Sequence, residues 1–396
     1  MSLFHNIRKR NVFQFAVKIC RLAITVFKYP LALFFSREEI SEKHAPHYQQ
    51  MDVWRKEYLA WESHKDYLLG KAQPRDCPLC HSKQNAHLWN SEDGYEYVRC
   101  LECDFVFVTP FITYDQWRDY YRKFQTDTDG INSELSESRA AEDYLKDDFE
   151  RFSYYVNLLR KYKRSGNVLD IGCLTGNFLK IAKDNGFSPF GVEFRPVAIE
   201  TAKSLYGIQN IWNGYFEEIA PQLIAADTRY DIISLWETLE HVLYPEEVIR
   251  NARRLLAPGG LIAITVPNFD NLQVKILREK CFHCLGGIGN AGHINMFTPL
   301  TLRHFLEKNG FEMLHLETEG SSNYYDIVNY FSQDYDSIHS YSQAVINRRL
   351  DSQKNTSHFI SPLTSNFILA FNPFLKILKN VMRKGAIITA VAQRTE

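Results

Sequence analysis

The stretch "VLDIGCLTGNFLKIAKDNG", residues 168–186, decides the fold, because it combines an apolar strand, a glycine-containing turn and a helix. Gly172 and Gly176 let the backbone turn sharply and come close to a ligand. In a doubly wound sheet the ligand lies outside the carboxyl ends of the strands, and Asp170 stands at the end of this strand. The stretch therefore predicts a ligand site at the edge of a parallel sheet.

Short β-type runs alternate with helical patterns from Asn167 onward, which favours an α/β fold with a doubly wound, mainly parallel sheet of seven strands. The predicted strands are Val168–Ile171, Pro189–Glu193, Gln209–Trp212, Tyr230–Trp236, Leu261–Val266, Glu312–Glu317 and Ala386–Ala392. We expect six parts: a basic amphipathic helix (1–36), a helical linker (37–73), a cysteine-containing ribbon (74–110), a second helical linker (111–162), the sheet domain (163–322 and 385–396) and a helical insertion (323–384).

Glu193 ends the second predicted strand, 23 residues after Asp170. An acid at that place can accept hydrogen bonds from both hydroxyl groups of a ribose. Two further signals follow in the expected order, "YDIISLWETLEHV" and "RRLLAPGGLIAITVPN". A nicotinamide-dependent dehydrogenase is disfavoured, because its Gly-x-Gly-x-x-Gly spacing is absent.

With these four signals the sequence resembles the class I S-adenosylmethionine-dependent methyltransferases, over about residues 140–320 and the last strand. The resemblance implies a Rossmann-like methyltransferase sheet that binds S-adenosylmethionine. Leu174 stands where the family has the middle glycine of its motif, which is a departure from the pattern. The cofactor-binding residues that the resemblance implies are Asp170, Gly172, Gly176, Glu193, Tyr215, Phe216, Leu235 and Trp236.

Two Cys-x-x-Cys pairs, Cys77/Cys80 and Cys100/Cys103, are separated by 19 residues and predict a structural zinc ribbon. Four thiolates close a tetrahedral shell around Zn²⁺ with no open position, which favours a structural role over a catalytic one. A redox function or an accidental pairing is the less favoured interpretation. The further "CFHC" at 281–284 has too few ligands for another metal site, and a loop over the acceptor or core packing is favoured there.

The segment "LWETLEHVLYPEE", residues 235–247, spaces Glu237, Glu240 and His241 so that they would share one face of a helix. The Glu-x-x-Glu-His pattern resembles the metal ligands of small-RNA 2′-O-methyltransferases and of some quinone-pathway O-methyltransferases, with His293 as a downstream partner. That resemblance implies a second metal site, for Mg²⁺ or Mn²⁺, built from these four residues. Two other interpretations stay open. Either His293, His241 and Glu237 act in catalysis without metal, or the acids only favour a helix N-terminus.

The ribbon and "GHINMFTPLTLRHFLEKNGF", residues 292–311, resemble a narrower group of bacterial zinc-ribbon methyltransferases linked to surface-glycan and secondary-metabolite assembly. This resemblance implies methyl transfer to a sugar hydroxyl of a surface glycan, a lipid-linked intermediate or a related small molecule. One alternative is an RNA methyltransferase, although a formal net charge of −1 argues against nucleic acid as a partner. Another is a non-catalytic, membrane-attached zinc scaffold whose loop, altered at Leu174, no longer binds the cofactor.

Residues 1–37 carry seven Lys or Arg and no acid, and their polar positions recur every three or four residues. This pattern predicts an amphipathic helix whose apolar face lies on an anionic membrane or packs on the protein itself. Lys18, Arg21 and Lys28 interrupt the apolar stretch, so neither a cleavable secretory signal nor a spanning helix is favoured. We therefore expect a cytoplasmic protein in peripheral contact with the inner face of the membrane.

Overall fold

The computed structural model of the chain describes residues 67, 70–90, 95–123, 142–271, 274–275, 293–319 and 385–396. Nearly all of these residues belong to one compact unit. The predicted N-terminal helix, most of the first linker, the "CFHC" segment and the helical insertion lie outside the described residues. Within the described part of the chain, no helix is both long enough and apolar enough to cross a membrane.

Seven strands form the main sheet, and helices occupy most of the connections between them. Its strands are β4 (Gly166–Ile171), β5 (Phe187–Glu193), β6 (Ile211–Asn213), β7 (Tyr230–Trp236), β8 (Leu256–Pro267), β10 (Phe311–Glu319) and β11 (Ile387–Arg394). The order is β10-β11-β8-β7-β4-β5-β6, with β11 antiparallel to both neighbours and the remaining pairs parallel. The helices of this region are α2 (Glu142–Arg160), α3 (Asn177–Asp184), α4 (Pro196–Tyr206), α5 (Phe216–Ala225), α6 (Pro245–Leu255) and α7 (Pro299–Lys308).

All seven predicted strands are present, and the Rossmann-like methyltransferase sheet is confirmed. The strand with the sequence YDIISLW has the predicted bounds, while the others differ from the prediction by one or more residues. The sheet separates two hydrophobic cores, because successive side chains of a strand point to opposite faces. Leu169 and Leu235 pack in one core, while Val168 and Trp236 pack in the other.

One local prediction is wrong: Glu240 and His241 do not begin a helix. The segment after β7 is a turn, and α6 begins only at Pro245. Glu237 has a φ of 50°, in the left-handed region that interrupts regular structure. The acids in the first turn of the helix are Glu246 and Glu247, so the favourable interaction with the helix dipole belongs to them.

A second, four-stranded sheet contains the cysteine module. It consists of β1 (Asn85–Asn90), β2 (Glu96–Cys100), β3 (Val106–Thr109) and the short β9 (Asn295–Met296). The helix α1 (Tyr114–Lys123) follows β3 in the chain. The pairing of β3 with β9 joins this module to the part of the chain that forms the main sheet. Phe105 packs against Phe297 with ring centroids 4.9 Å apart, so the two sheets share apolar contacts as well as hydrogen bonds.

Candidate functional site

Asp170, Gly172 and Ser234 form the centre of the predicted cofactor edge. Gly172 has a φ of 77°, and a Cβ atom at this position would lie 2.8 Å from Oγ1 of Thr238. The backbone therefore passes through a space that only glycine fits. The hydroxyl of Ser234 donates a 2.7 Å hydrogen bond to Asp170. Burial raises the pKa of Asp170 to about 8, although the Ser234 hydrogen bond acts in the opposite direction.

Glu193, the predicted ribose acid, is buried at the carboxyl end of β5. Its two carboxylate oxygens accept hydrogen bonds from the backbone N–H groups of Leu174 (3.0 Å) and Arg195 (2.9 Å). Leu174 has a φ of 46°, so the residue that replaces the family's glycine adopts the backbone region that glycine favours. Glu193 thus fixes the loop between β4 and α3. The helix α3 begins directly after Gly176, which has a φ of 78°.

The predicted adenine contacts separate into two environments. Phe216 is buried in the hydrophobic core beneath the sheet. Tyr215 stacks on Phe194 with ring centroids 5.0 Å apart and planes at 12°. Phe194 follows Glu193 directly, so the aromatic stack and the ribose acid are neighbours. Phe194 was not predicted from the sequence, although its position one residue after the acid was the available signal.

Leu235 and Trp236, predicted to contact the cofactor, have side chains that face the two cores. Leu235 is fully buried, and Trp236 stacks on Tyr155 of α2 with ring centroids 4.6 Å apart. Trp236 also meets the edge of Phe178. These two residues therefore bring the chain to the cofactor edge, while their side chains stabilise the domain.

The turn that follows β7 lies directly on the glycine loop. The hydroxyl of Thr238 donates to the carbonyl of Ile171 at 3.1 Å. The backbone N–H of Glu237 donates to the carbonyl of Thr265 at 3.0 Å, which fixes the start of the turn on β8. The side chains of this turn consequently lie at the same sheet edge as Asp170.

Glu240, His241 and His293 converge, with one potential ligand atom of each lying within 4.8 Å of the others. Nε2 of His293 is 3.8 Å and Nε2 of His241 is 4.0 Å from Oε1 of Glu240. The side chain of Glu240 is only 1% exposed, whereas that of His241 is 44% exposed. Among the described residues, neither carboxylate oxygen of Glu240 has a hydrogen-bond partner. Burial, followed by the charge of Glu237, raises the pKa of Glu240 well above its usual range.

This donor set fits a divalent metal ion. A buried carboxylate without a donor is costly, and a cation between the three groups would offset that cost. Two imidazoles and one carboxylate suit Zn²⁺ and Mn²⁺, and Mg²⁺ less well, because Mg²⁺ prefers oxygen ligands. The exposed fraction of His241 leaves the outer side of the cluster open, so an acceptor oxygen can approach from there.

Glu237, the fourth predicted ligand, is not part of this cluster. Its carboxylate forms an ion pair with Arg151 of α2, with an N–O distance of 2.7 Å. Arg151 also binds Asp148, which accepts a hydrogen bond from Asn177 at the start of α3. Glu237 thus belongs to a polar network that ties α2 to the glycine loop. The long separation of these residues in the chain left no sequence signal for the network.

The four ribbon cysteines Cys77, Cys80, Cys100 and Cys103 lie together, as the spacing predicts. The Sγ–Sγ distances are 3.6 Å between Cys77 and Cys103 and 3.5 Å between Cys80 and Cys100. Ligands at about 2.3 Å from a tetrahedral Zn²⁺ stand roughly 3.8 Å apart, so the observed spacing fits this ion. A hydrogen bond from the Cys77 thiol lowers the pKa of Cys103 to about 5.

The strand order, the antiparallel β11 and the glycine loop together define the class I methyltransferase fold. Residues 139–316 match a family of methyltransferase domains. The match covers both the predicted cofactor edge and the cluster of Glu240, His241 and His293.

Curated relatives include the ubiquinone biosynthesis O-methyltransferase of Caulobacter sp. (strain K31), 32% identical over 120 residues, 28% of this chain and 48% of the relative. Norajmaline N-methyltransferase of Rauvolfia serpentina is 29% identical over 165 residues, 38% of this chain and 56% of the relative. A solved S-adenosylmethionine-dependent methyltransferase from Archaeoglobus fulgidus has a TM-score of 0.41 at 19% identity, covering 62% of this chain and 94% of that one. The chain spans about half the length of the curated relatives that it matches.

Proposed function

We propose that this chain transfers a methyl group from S-adenosylmethionine to a hydroxyl group of a small-molecule or glycan acceptor. The observation that carries the proposal is the position of Glu240, His241 and His293 in and around a turn that packs on the glycine loop. An acid and two histidines at that edge lie where a transferable methyl group would be presented.

The cofactor half of the proposal is supported by the geometry of the glycine loop. Gly172 lets the backbone come close to a ligand, and Glu193 holds the loop that follows. The stack of Tyr215 on Phe194 offers an aromatic surface next to the ribose acid, which suits an adenine ring. The relatives named above are methyltransferases with different acceptors.

The acceptor half is supported by the chemistry of the acid–histidine cluster. Methyl transfer is an in-line displacement in which the acceptor oxygen attacks the methyl carbon, the bond from carbon to sulfur breaks, and S-adenosylhomocysteine leaves. The hydroxyl must also give up its proton, to solvent on the open side of the cluster, and a divalent ion held by the cluster would lower the pKa of that hydroxyl. Glu240 and His293 would hold the ion from the inner side, and His241 from the open side.

A sugar hydroxyl is the narrower acceptor that we propose, on the basis of the resemblance of the ribbon and of residues 292–311 to zinc-ribbon methyltransferases of surface-glycan assembly. The names of the relatives, a ubiquinone biosynthesis O-methyltransferase and a norajmaline N-methyltransferase, point to other acceptors. Mass spectrometry of glycans and lipids from cells with and without the gene separates these classes. Loss of a methyl group from a glycan supports the sugar, while loss from a quinone precursor contradicts it.

Calorimetry on the purified full chain tests the cofactor and metal binding that the proposed reaction requires. We expect S-adenosylhomocysteine to bind with one-to-one stoichiometry, and Mn²⁺ to bind to the wild type but not to the His293→Ala variant. The variant should retain its affinity for S-adenosylhomocysteine, because His293 lies outside the glycine loop. Failure of the wild type to bind S-adenosylhomocysteine would overturn the proposed function.

Peripheral membrane attachment is a separate part of the proposal, and it rests on the basic apolar pattern of residues 1–36. A membrane location would suit a lipid-linked acceptor. Removal of residues 1–36 should then move the protein from the membrane fraction of the cell lysate to the soluble fraction. A wild-type protein that ignores anionic liposomes would contradict it.

A further inference from the structure

Arg75, two residues before the first ribbon cysteine, joins the ribbon to both segments of the acid–histidine cluster. Its Nε donates to the carbonyl of Val108 in β3 at 2.8 Å. Its two terminal nitrogens donate to the carbonyls of Leu243, at 3.3 Å, and of Ile294, at 2.7 Å. Leu243 lies two residues after His241, and Ile294 directly follows His293. A planar guanidinium is suited to bridging three carbonyls in this way.

The backbone of Leu243 is held from two sides, by Arg75 within the ribbon and by Tyr114 shortly after it. Its carbonyl accepts from Arg75, and its N–H donates to the hydroxyl of Tyr114 at 2.9 Å. Tyr114 also donates to Glu217 and packs near Tyr215. The position of the turn after β7 is therefore fixed by the ribbon region rather than by the main sheet alone.

The segment that carries His293 is attached in the same manner. Asn295 pairs with Phe107 in β3, and its side-chain oxygen accepts from Arg75 at 3.2 Å. Its side-chain nitrogen donates to the carbonyl of Val242 at 2.6 Å. The backbone N–H groups of Ile294 and Asn295 both donate to the carbonyl of Glu240, at 2.9 and 3.1 Å. The two segments are thus bonded to each other and to the ribbon.

We propose that the four-cysteine ribbon is a positioning module for the acid–histidine cluster, and that Arg75 is the positioning residue that sets Glu240 and His241 against His293. The ribbon then contributes to catalysis without contacting substrate or cofactor. Without its metal, the ribbon would no longer hold Val108 and Arg75 in place. The acid–histidine cluster would then lose its alignment. The part of this inference that concerns metal affinity rests on the proposed function, whereas the part that concerns backbone position does not.

Hydrogen exchange on the full chain tests the backbone part. The reporters are the amides of Leu243, Ile294 and Asn295, each of which has an identified acceptor. Arg75→Met should raise their exchange rates by about tenfold or more, because several charge-assisted hydrogen bonds are lost. Arg99→Met is the matched control, since Arg99 lies on the same ribbon and its ion pair with Asp104 is at the surface. The control should leave these amides unchanged.

Mn²⁺ binding tests the part that depends on the metal. Arg75→Met should lower Mn²⁺ affinity by about tenfold or more with unchanged S-adenosylhomocysteine affinity and full ribbon zinc, and Arg75→Lys should restore part of it. If Arg75→Met fails to retain zinc, the milder Tyr114→Phe, which removes one acceptor at Leu243, decides the question. Unchanged exchange at Leu243 and Ile294 in zinc-loaded variants would overturn the inference. A wild type that binds no Mn²⁺ would instead overturn the metal part of the proposed function.

Discussion

Glu193 and Glu240 are two buried glutamates at one edge of the same sheet, and they have opposite surroundings. Glu193 is 2% exposed, and two backbone N–H groups donate to its carboxylate. Glu240 is 0% exposed, and within the described residues no hydrogen bond reaches its carboxylate. The imidazole nitrogens of His293 and His241 lie 3.8 and 4.0 Å away, beyond hydrogen-bond distance.

The hydrogen-bond partners of Glu193 indicate a carboxylate that holds the backbone in place, whereas the lack of partners at Glu240 among the described residues suits a bound cation. Glu193 completes the loop that would hold the cofactor, and its environment is satisfied by the chain alone. An unpaired buried carboxylate such as Glu240 costs several kcal/mol, and only a proton or a cation would offset this cost. The protein retains this unfavourable group beside two histidines, which is the arrangement expected of a metal site.

The largest expected effect comes from unfolding the ribbon, because Arg75 of the ribbon binds the segments that carry Glu240 and His293. Cys100→Ser should abolish zinc binding and unfold the ribbon, since structural zinc sites contribute about 10–16 kcal/mol in zinc-finger peptides. Mn²⁺ binding at Glu240 should be lost, while S-adenosylhomocysteine should still bind at Glu193. Metal analysis and calorimetry measure both quantities, and equal losses at the two sites would show that the ribbon serves the whole domain.

Replacing each of the two glutamates with glutamine tests directly how their carboxylates differ in function. Glu240→Gln should lower Mn²⁺ affinity by more than about 100-fold, because even outer-shell changes cost about 10–100-fold. Without metal it should leave the folded chain at least as stable near neutral pH, because burial disfavours the charged form of Glu240, whereas an amide carries no charge to bury. Glu193→Gln should cost about 2 kcal/mol, because two backbone N–H groups lose a charged acceptor. Chemical denaturation of both variants tests this reversal.

Much of this arrangement could be predicted from the sequence. The strands were readable because apolar runs fill their buried faces, and Glu193 was found by its distance from Asp170 along the chain. Glu240 and His241 were identified by residue type, but the helix predicted to contain them is wrong, because the left-handed backbone of Glu237 ends regular structure. Arg75 could not be found, since its bond to Leu243 joins residues 168 positions apart.

Asp170 contributes to the pH dependence of stability, because burial raises its pKa to about 8. Between about pH 4 and pH 8 the unfolded chain has lost this proton and the folded chain keeps it, so the stability falls as pH rises. The contribution is at most about 1.4 kcal/mol per pH unit. Asp170→Asn should remove it, and denaturation series from about pH 5 to pH 8 compare the slopes. Parallel slopes in the two proteins would contradict the assignment.

The smallest expected effect concerns Leu174, the residue that departs from the glycine motif. A left-handed conformation costs an ordinary residue roughly 1–2 kcal/mol, and glycine avoids this cost. Glycine is itself destabilising by about 0.5–1 kcal/mol, because it has more conformational entropy in the unfolded chain. Leu174→Gly should therefore change the stability by less than about 1 kcal/mol, with an equal or higher affinity for S-adenosylhomocysteine. Binding that appears only in the glycine variant would favour the scaffold interpretation over an enzyme.

The most direct test of the central claim is anomalous diffraction from crystals of the full chain grown with Mn²⁺ and S-adenosylhomocysteine. We predict one Mn²⁺ peak about 2.0–2.6 Å from Glu240, His241 and His293, and S-adenosylhomocysteine against Gly172 and Glu193. A bound S-adenosylhomocysteine with no Mn²⁺ peak at the cluster, and with Glu240 hydrogen-bonded to either histidine, would contradict it.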